Sequence, residues 1–268
     1  MTMHWISQVD AGKVVLFALV LSRVSGLISF APLLNTPESP MQFRALLSAT
    51  LALLITPSQW SAGVPQPGSL AHLLVLVGSE LLIGLCLGLG LVILFSGIQL
   101  AGELIGRVGG LMLSDVFDPT TGESVPLFSR MLHLVATAVF VLIGGHRMVM
   151  AALLDTYQTI PLGSCAVPFS IADAFVTLVA QSFALGLRAA MPAVTALLLA
   201  TLVMGLISRT LPQLNIMAIG FGLNAMVAFG AVALSLGGAV WVFQEQIEPA
   251  LEILLDSLHA PLRSEWLS

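Results

Sequence analysis

The chain has 268 residues, of which 57% are hydrophobic and 9% charged, with a mean hydropathy of +1.02 and a formal net charge of −5. Soluble domains carry about 25% charged residues, so this composition belongs to an integral membrane protein. The nine basic residues are scattered, with Lys13 the only lysine, and no basic patch for nucleic acid forms.

Six hydrophobic regions follow one another at roughly 14–34, 43–57, 70–102, 131–153, 174–207 and 214–243. A spanning helix needs about 20 apolar residues. The second region falls short of that, and the third exceeds it and is rich in glycine. The fifth carries Arg188 and Pro192 near its middle, and an interior proline kinks a helix. The stretch from Arg209 to Glu245 holds no charge, enough for one tilted helix or two meeting in a bend. The fold class expected is therefore all-α, made of long, bent helical hairpins buried against partners rather than six clean spans.

Proline-bearing connections separate the regions: "NTPESP" at 35–40, "TPSQWSAGVPQPGS" at 56–69, "IPLGSCAVPFS" at 160–170 and "RTLPQLN" at 209–215. In the tail, Glu245, Glu248, Glu252 and Asp256 alternate with Ile247, Leu251, Leu254, Leu255 and Leu258, the pattern of an amphipathic helix. The favoured reading packs that helix on its own protein; docking to a partner is the other. Asp10 ahead of Lys13 gives no sign of a cleavable signal peptide. Cys86 and Cys165 make no disulfide framework.

Enzyme chemistry finds little support. His133 and His146 are too far apart for a one-helix metal pair, and "VGSEL" lacks the pattern of a nucleophile turn. No glycine-rich run ends in Gly-Lys-Ser/Thr, so neither a nucleotide nor any other cofactor is implied.

Charges inside oily helices are more informative. A charge at a membrane helix centre costs about 2.5–3.5 kcal/mol on insertion scales. Arg23, Glu103, Arg107, Arg188 and Arg209 are such residues. Glu103 and Arg107 are four apart and can pair on one face. For each, a local ion pair or snorkelling is the favoured reading, and contact with a conduit or a neighbouring subunit is the other. Gly102, Gly106 and Gly110 recur at four-residue spacing and bare one helix face for close packing. Gly109-Gly110 also forms a hinge candidate leading into "LMLSDVFDPTTGESVP". That stretch is too polar to span, and its start is too apolar for an ordinary solvated loop. From the residues alone, a connecting loop and a gate stand equal.

In order along the chain, "SRVSGLISFAPLL", "PMQFRALLSATLALLITP", "AGELIGRVGGLMLSDVFDP", "HRMVMAALLDTYQTIPLGS" and "MPAVTALLLATLVMGLISRTLPQLNIMAIGFGL" resemble the FliR family of flagellar export proteins. The resemblance runs from about Trp5 to Leu258, and "SRTLPQLNIMAIGF" is its most specific part. It implies one FliR-like domain over 1–268, with an N-terminal FliP-like and a C-terminal FliQ-like part. It further implies a non-enzymatic channel component of the inner membrane and flagellar basal body, assembled with FliP and FliQ and meeting a FlhB-type switch protein. Unfolded flagellar subunits would thread through that channel. The segment matching Gly109–Phe117 would be its plug. Gly109 and Gly110 would then be the hinge, and Leu111, Met112, Leu113, Val116 and Phe117 the apolar seal. The same resemblance extends to the homologous injectisome component, which stands as the alternative branch. A secondary solute transporter is the reading from another class, and it requires an internal repeat that is not evident.

Overall fold

A computed structural model describes residues 11–32, 39–60, 68–110, 126–164, 170–210 and 216–259. Among them are seven α-helices: α1 (Ala11–Phe30), α2 (Met41–Ile55), α3 (Leu70–Val108), α4 (Leu127–Leu142), α5 (Gly145–Thr159), α6 (Ser170–Thr210) and α7 (Ile216–His259). One 3-10 turn, Thr56–Gln59, continues α2. The all-α, membrane-type reading holds. Four helices are long and apolar enough to cross a membrane, and α4 with α5 makes a fifth candidate if a bent pair counts as one.

The helix ends follow local chemistry. Pro40 and Pro126 sit in extended backbone just ahead of α2 and α4, where a missing N–H costs nothing. Ser69 Oγ accepts the His72 N–H at 3.2 Å and caps the start of α3. Asp173 lies in the first turn of α6 and Arg209 in its last, each suited to the helix dipole there.

Three boundaries differ from the sequence reading. The region 131–153 is two helices bent by 67°, with Gly144 at φ +80° in the break. Gly144-Gly145-His146-Arg147 marks that bend, a dip short enough for a window of spanning length to average away. The charge-free stretch after Arg209 enters one helix that continues through the amphipathic tail, with Pro249 inside it. The third region runs on past 102 to Val108. At 39, 41 and 44 residues, α3, α6 and α7 reach about 58–66 Å at 1.5 Å per residue, twice a hydrocarbon core of about 30 Å.

The chain forms two compact units that interleave along the sequence. The first takes the described residues up to Val92, then His146–Leu178, and those from Ala250 onward. Its core includes Leu16, Leu19, Leu76, Ile83, Leu87 and Leu153. The tail stripe, whose residues from Ala250 onward belong to this unit and whose Glu245, Ile247 and Glu248 belong to the second, packs inward as the favoured sequence reading expects. Ile247, Leu251, Leu254 and Leu258 are buried, whereas Glu245, Glu248, Glu252 and Asp256 are exposed. Leu254 fits over Gly90, and Ser170 Oγ donates to the Ser257 carbonyl at 2.7 Å.

The second unit comprises Ile93–Gly145 and Val179–Pro249. Its centre is aromatic: Phe95 meets His133, Phe140 and Phe243 edge-on, with ring centroids 5.2–5.7 Å apart.

Candidate functional site

Buried charge in the first unit centres on Arg23, which is fully enclosed. Its Nε donates to Glu80 Oε2 at 2.6 Å. Nη1 donates to the Thr156 carbonyl at 2.9 Å and to Thr156 Oγ1 at 3.1 Å, and Nη2 to the Ile160 carbonyl at 3.1 Å. The second Glu80 oxygen accepts the Gly163 N–H at 2.9 Å. The Tyr157 ring stacks on the guanidinium, 4.4 Å from its carbon to the ring centroid. One ion pair thus ties α1 and α3 to α5 and the turn after it. Of the two readings for Arg23, the internal pair is the one observed.

Glu80, Thr156, Tyr157 and Gly163 escaped sequence reasoning. Glu80 and Arg23 are two lone opposite charges inside apolar runs, and that complementarity was the available signal. Gly163 carries φ +83°, a conformation suited to glycine, and so turns its N–H back toward the carboxylate.

Glu103 and Arg107 do pair, at 3.6 Å, but both are substantially exposed, 39% and 65%. The glycine face divides. A Cβ on Gly102 would collide with the Ser129 backbone at the start of α4, so the two helices touch main chain to main chain. Gly106 is looser, with the Pro126 side chain 3.7 Å from a built Cβ. Gly109 and Gly110 close α3 by donating to the Ile105 carbonyl at 2.9 Å and the Arg107 carbonyl at 3.2 Å. Gly110 has φ +70°, and no described residue comes within 4 Å of a Cβ built there. Leu111, Met112, Leu113, Val116 and Phe117 lie outside the described residues.

In the same unit α3 and α6 cross tightly. A Cβ on Gly97 would strike the Ser182 carbonyl, and one on Gly186 would come 2.6 Å from the Gly97 carbonyl. Beside this crossing an open groove of about 330 Å³ is lined by Ser96, Gln99, Glu103, Val179, Ser182 and Phe183, among others. Ser96 Oγ and Ser182 Oγ both donate to the Ile93 carbonyl, at 2.6 and 2.5 Å. Gln99 Nε2 donates to His133 Nδ1 at 3.0 Å. Every named polar group on this wall is engaged, which describes a packing surface rather than a reaction centre.

Arg188, Pro192 and Arg209 all lie on exposed positions of α6. No carboxylate among the described residues pairs with Arg188. Pro192 has no N–H, so the Arg188 carbonyl loses its helical donor one turn later.

Long helices with glycine-bared crossings, the enclosed Arg23–Glu80 pair and, among the described residues, no assembled reacting groups suit a membrane assembly component. The family described as "Bacterial export proteins, family 1" matches residues 14–250. The chain belongs to this family. It is a membrane export component rather than an enzyme. Among relatives of this export family, the flagellar biosynthetic protein FliR of Escherichia coli K12 is 32% identical, over 86% of this chain and 85% of its own. FliR of Bacillus subtilis strain 168 is 28% identical, over 80% and 83%. FliR of Caulobacter vibrioides is 28% identical, over 91% and 97%.

Proposed function

We propose that this chain is the FliR-type component of a flagellar type III export gate in the bacterial inner membrane, at the base of the flagellum. There it assembles with FliP- and FliQ-type companions, meets a FlhB-type switch protein and passes unfolded flagellar subunits. The observation that carries the reading is the family match over residues 14–250, joined to near full-length similarity with proteins named for flagellar biosynthesis. The physical features support it. Helices about twice as long as a bilayer is thick cannot be simple spans, and they suit a stack that continues beyond the hydrocarbon core. The same match favours the flagellar export reading over a solute transporter.

In this reading Gly109–Phe117 is the channel plug. Its support is local: α3 is followed by a left-handed glycine, Gly110, with no described residue against it, immediately before an apolar tripeptide in the sequence. Apolar side chains meeting in a narrow pore close it by dewetting. The test is the membrane conductance of equal amounts of assembled wild-type complex and complex lacking Leu111–Phe117. The deletion is expected to leak ions while assembling normally. Equal conductance would reduce the segment to a connection.

A further inference from the structure

The exposed side of α6 carries a regular pattern that the packing of this chain does not use. Arg188, Thr195 and Leu202 fall seven residues apart, and Ala184, Met191 and Leu198 take the alternate positions between them. All six are exposed. Seven residues bring a helix back to nearly the same face, drifting only about 20°. This is the seam of a helix made to lie along another helix. Leu199 and Leu206, themselves seven residues apart, are 64% and 66% exposed, so the apolar surface continues along one side of the line.

The polar groups in this seam specify what would cover it. Arg188 lies 18 residues from Ser170 and 22 from Thr210, about 27 and 33 Å along the axis. No acid among the described residues reaches it. The Arg188 carbonyl is left without its helical donor by Pro192. Thr195 differs, because its hydroxyl already donates to the Met191 and Pro192 carbonyls at 2.9 Å each. The seam therefore asks for one carboxylate and for a hydrogen-bond donor beside it.

We infer that the α6 seam docks an apolar membrane helix of a different protein, one that presents a carboxylate to Arg188. The carboxylate neutralises the guanidinium, and a donor flanking it reaches the Arg188 carbonyl that Pro192 leaves open. A polar pair in an otherwise apolar seam fixes register, because sliding by one turn would strand both charges in hydrocarbon. A second copy of this chain would also offer carboxylates, at exposed Glu245, Glu248, Glu252 and Asp256 of α7, so a different protein is favoured by the mixed assembly alone. The inference rests on the chain working inside a mixed assembly, as the proposed function requires.

The test uses the full chain co-produced with FliP- and FliQ-type companions in bacterial membranes. A photo-reactive amino acid at Met191 is cross-linked in the assembled complex, and the product is mapped by mass spectrometry. The expected product joins a different protein through a helix holding an Asp or Glu within one turn of the cross-link. Arg188→Glu should then cut recovery of the complex about tenfold or more, Arg188→Lys should retain it, and replacing the mapped acid by Arg should restore the Glu variant. Arg188→Lys and the charge swap separate lost pairing from simple misfolding. Cross-links to lipid, to a second copy, or to a helix without an acid would overturn the inference, as would a failed swap. If the wild-type chain enters no mixed complex, the export-gate reading itself fails, a result distinct from all of these.

Discussion

Arg23 and Glu80 are 57 residues apart in the chain, yet meet at 2.6 Å with side chains 0% and 1% exposed. Breaking such a pair from one side leaves a buried charge uncompensated, which costs about 3–5 kcal/mol. Glu80→Ala should therefore lower the thermal midpoint of the detergent-purified complex sharply and release the Gly163 turn as well. Arg23→Leu combined with Glu80→Leu should lose much less, because no charge is stranded. Melting curves of the two variants beside wild type decide this. A Glu80→Ala complex that melts with wild type would remove the network as a stabilising element.

Glu103→Gln makes the contrasting case. Its pair with Arg107 is solvent-accessible at 3.6 Å, and exposed pairs contribute about 0–1 kcal/mol. The melting midpoint should stay close to wild type. Yield of the mixed complex is the second readout: a fall there without a thermal shift would place Glu103 against another subunit, and no fall would leave it a local pair.

Glycines divide by what a side chain would meet. Gly84 packs against the Arg23 carbonyl, and Gly102 against the Ser129 backbone, where nothing can swing aside. Gly84→Val and Gly102→Val should each destabilise by about 1–3 kcal/mol or more, as overpacking does. Gly78 has open space around it, so Gly78→Ala should be neutral or stabilise by about 0.5–1 kcal/mol through better helix propensity. Gly106→Ala meets only ordinary contact and should be tolerated. Thermal midpoints of the four variants test the division, and a tolerated Gly102→Val would show that α3 and α4 can separate.

These contrasts mark how far the sequence could be read. Helicity, the oily spans, the tail stripe and the Glu103–Arg107 pair are local or periodic, and hydropathy with a spacing of three to four residues finds them. Arg23–Glu80 is a tertiary choice between lone charges in separate helices, and no periodicity assigns it. The bend at Gly144 is marked only by the short run Gly144-Gly145-His146-Arg147, a dip that averaging over a spanning-length window hides. The glycine face at 102, 106 and 110 was legible as a spacing, but its use was not. Gly102 makes the close approach, Gly106 a loose one, and Gly110 serves backbone conformation instead. Likewise Arg188 stood out as a charge, while its exposed placement depends on which face of α6 packs inward.

Gly110 carries the most specific demand on backbone conformation. Its φ of +70° is a left-handed value that costs an ordinary L-residue about 1–2 kcal/mol, whereas Asn visits it readily. Among the described residues nothing lies within 4 Å of a built Cβ, so none of them penalises size there. If the end of α3 must hold this turn to direct the plug, conformation and not volume decides which substitutions work. Gly110→Asn should then secrete flagellar subunits nearly as well as wild type. Gly110→Val, β-branched and stiff, should reduce secretion roughly 5- to 30-fold, the population change that one or two kcal/mol brings. Secreted subunit is measured in culture medium and normalised to assembled complex, which separates a misdirected plug from a failed assembly. Equal secretion by the Asn and Val variants would mean that the left-handed turn is dispensable, and the hinge would then have to lie elsewhere in the segment.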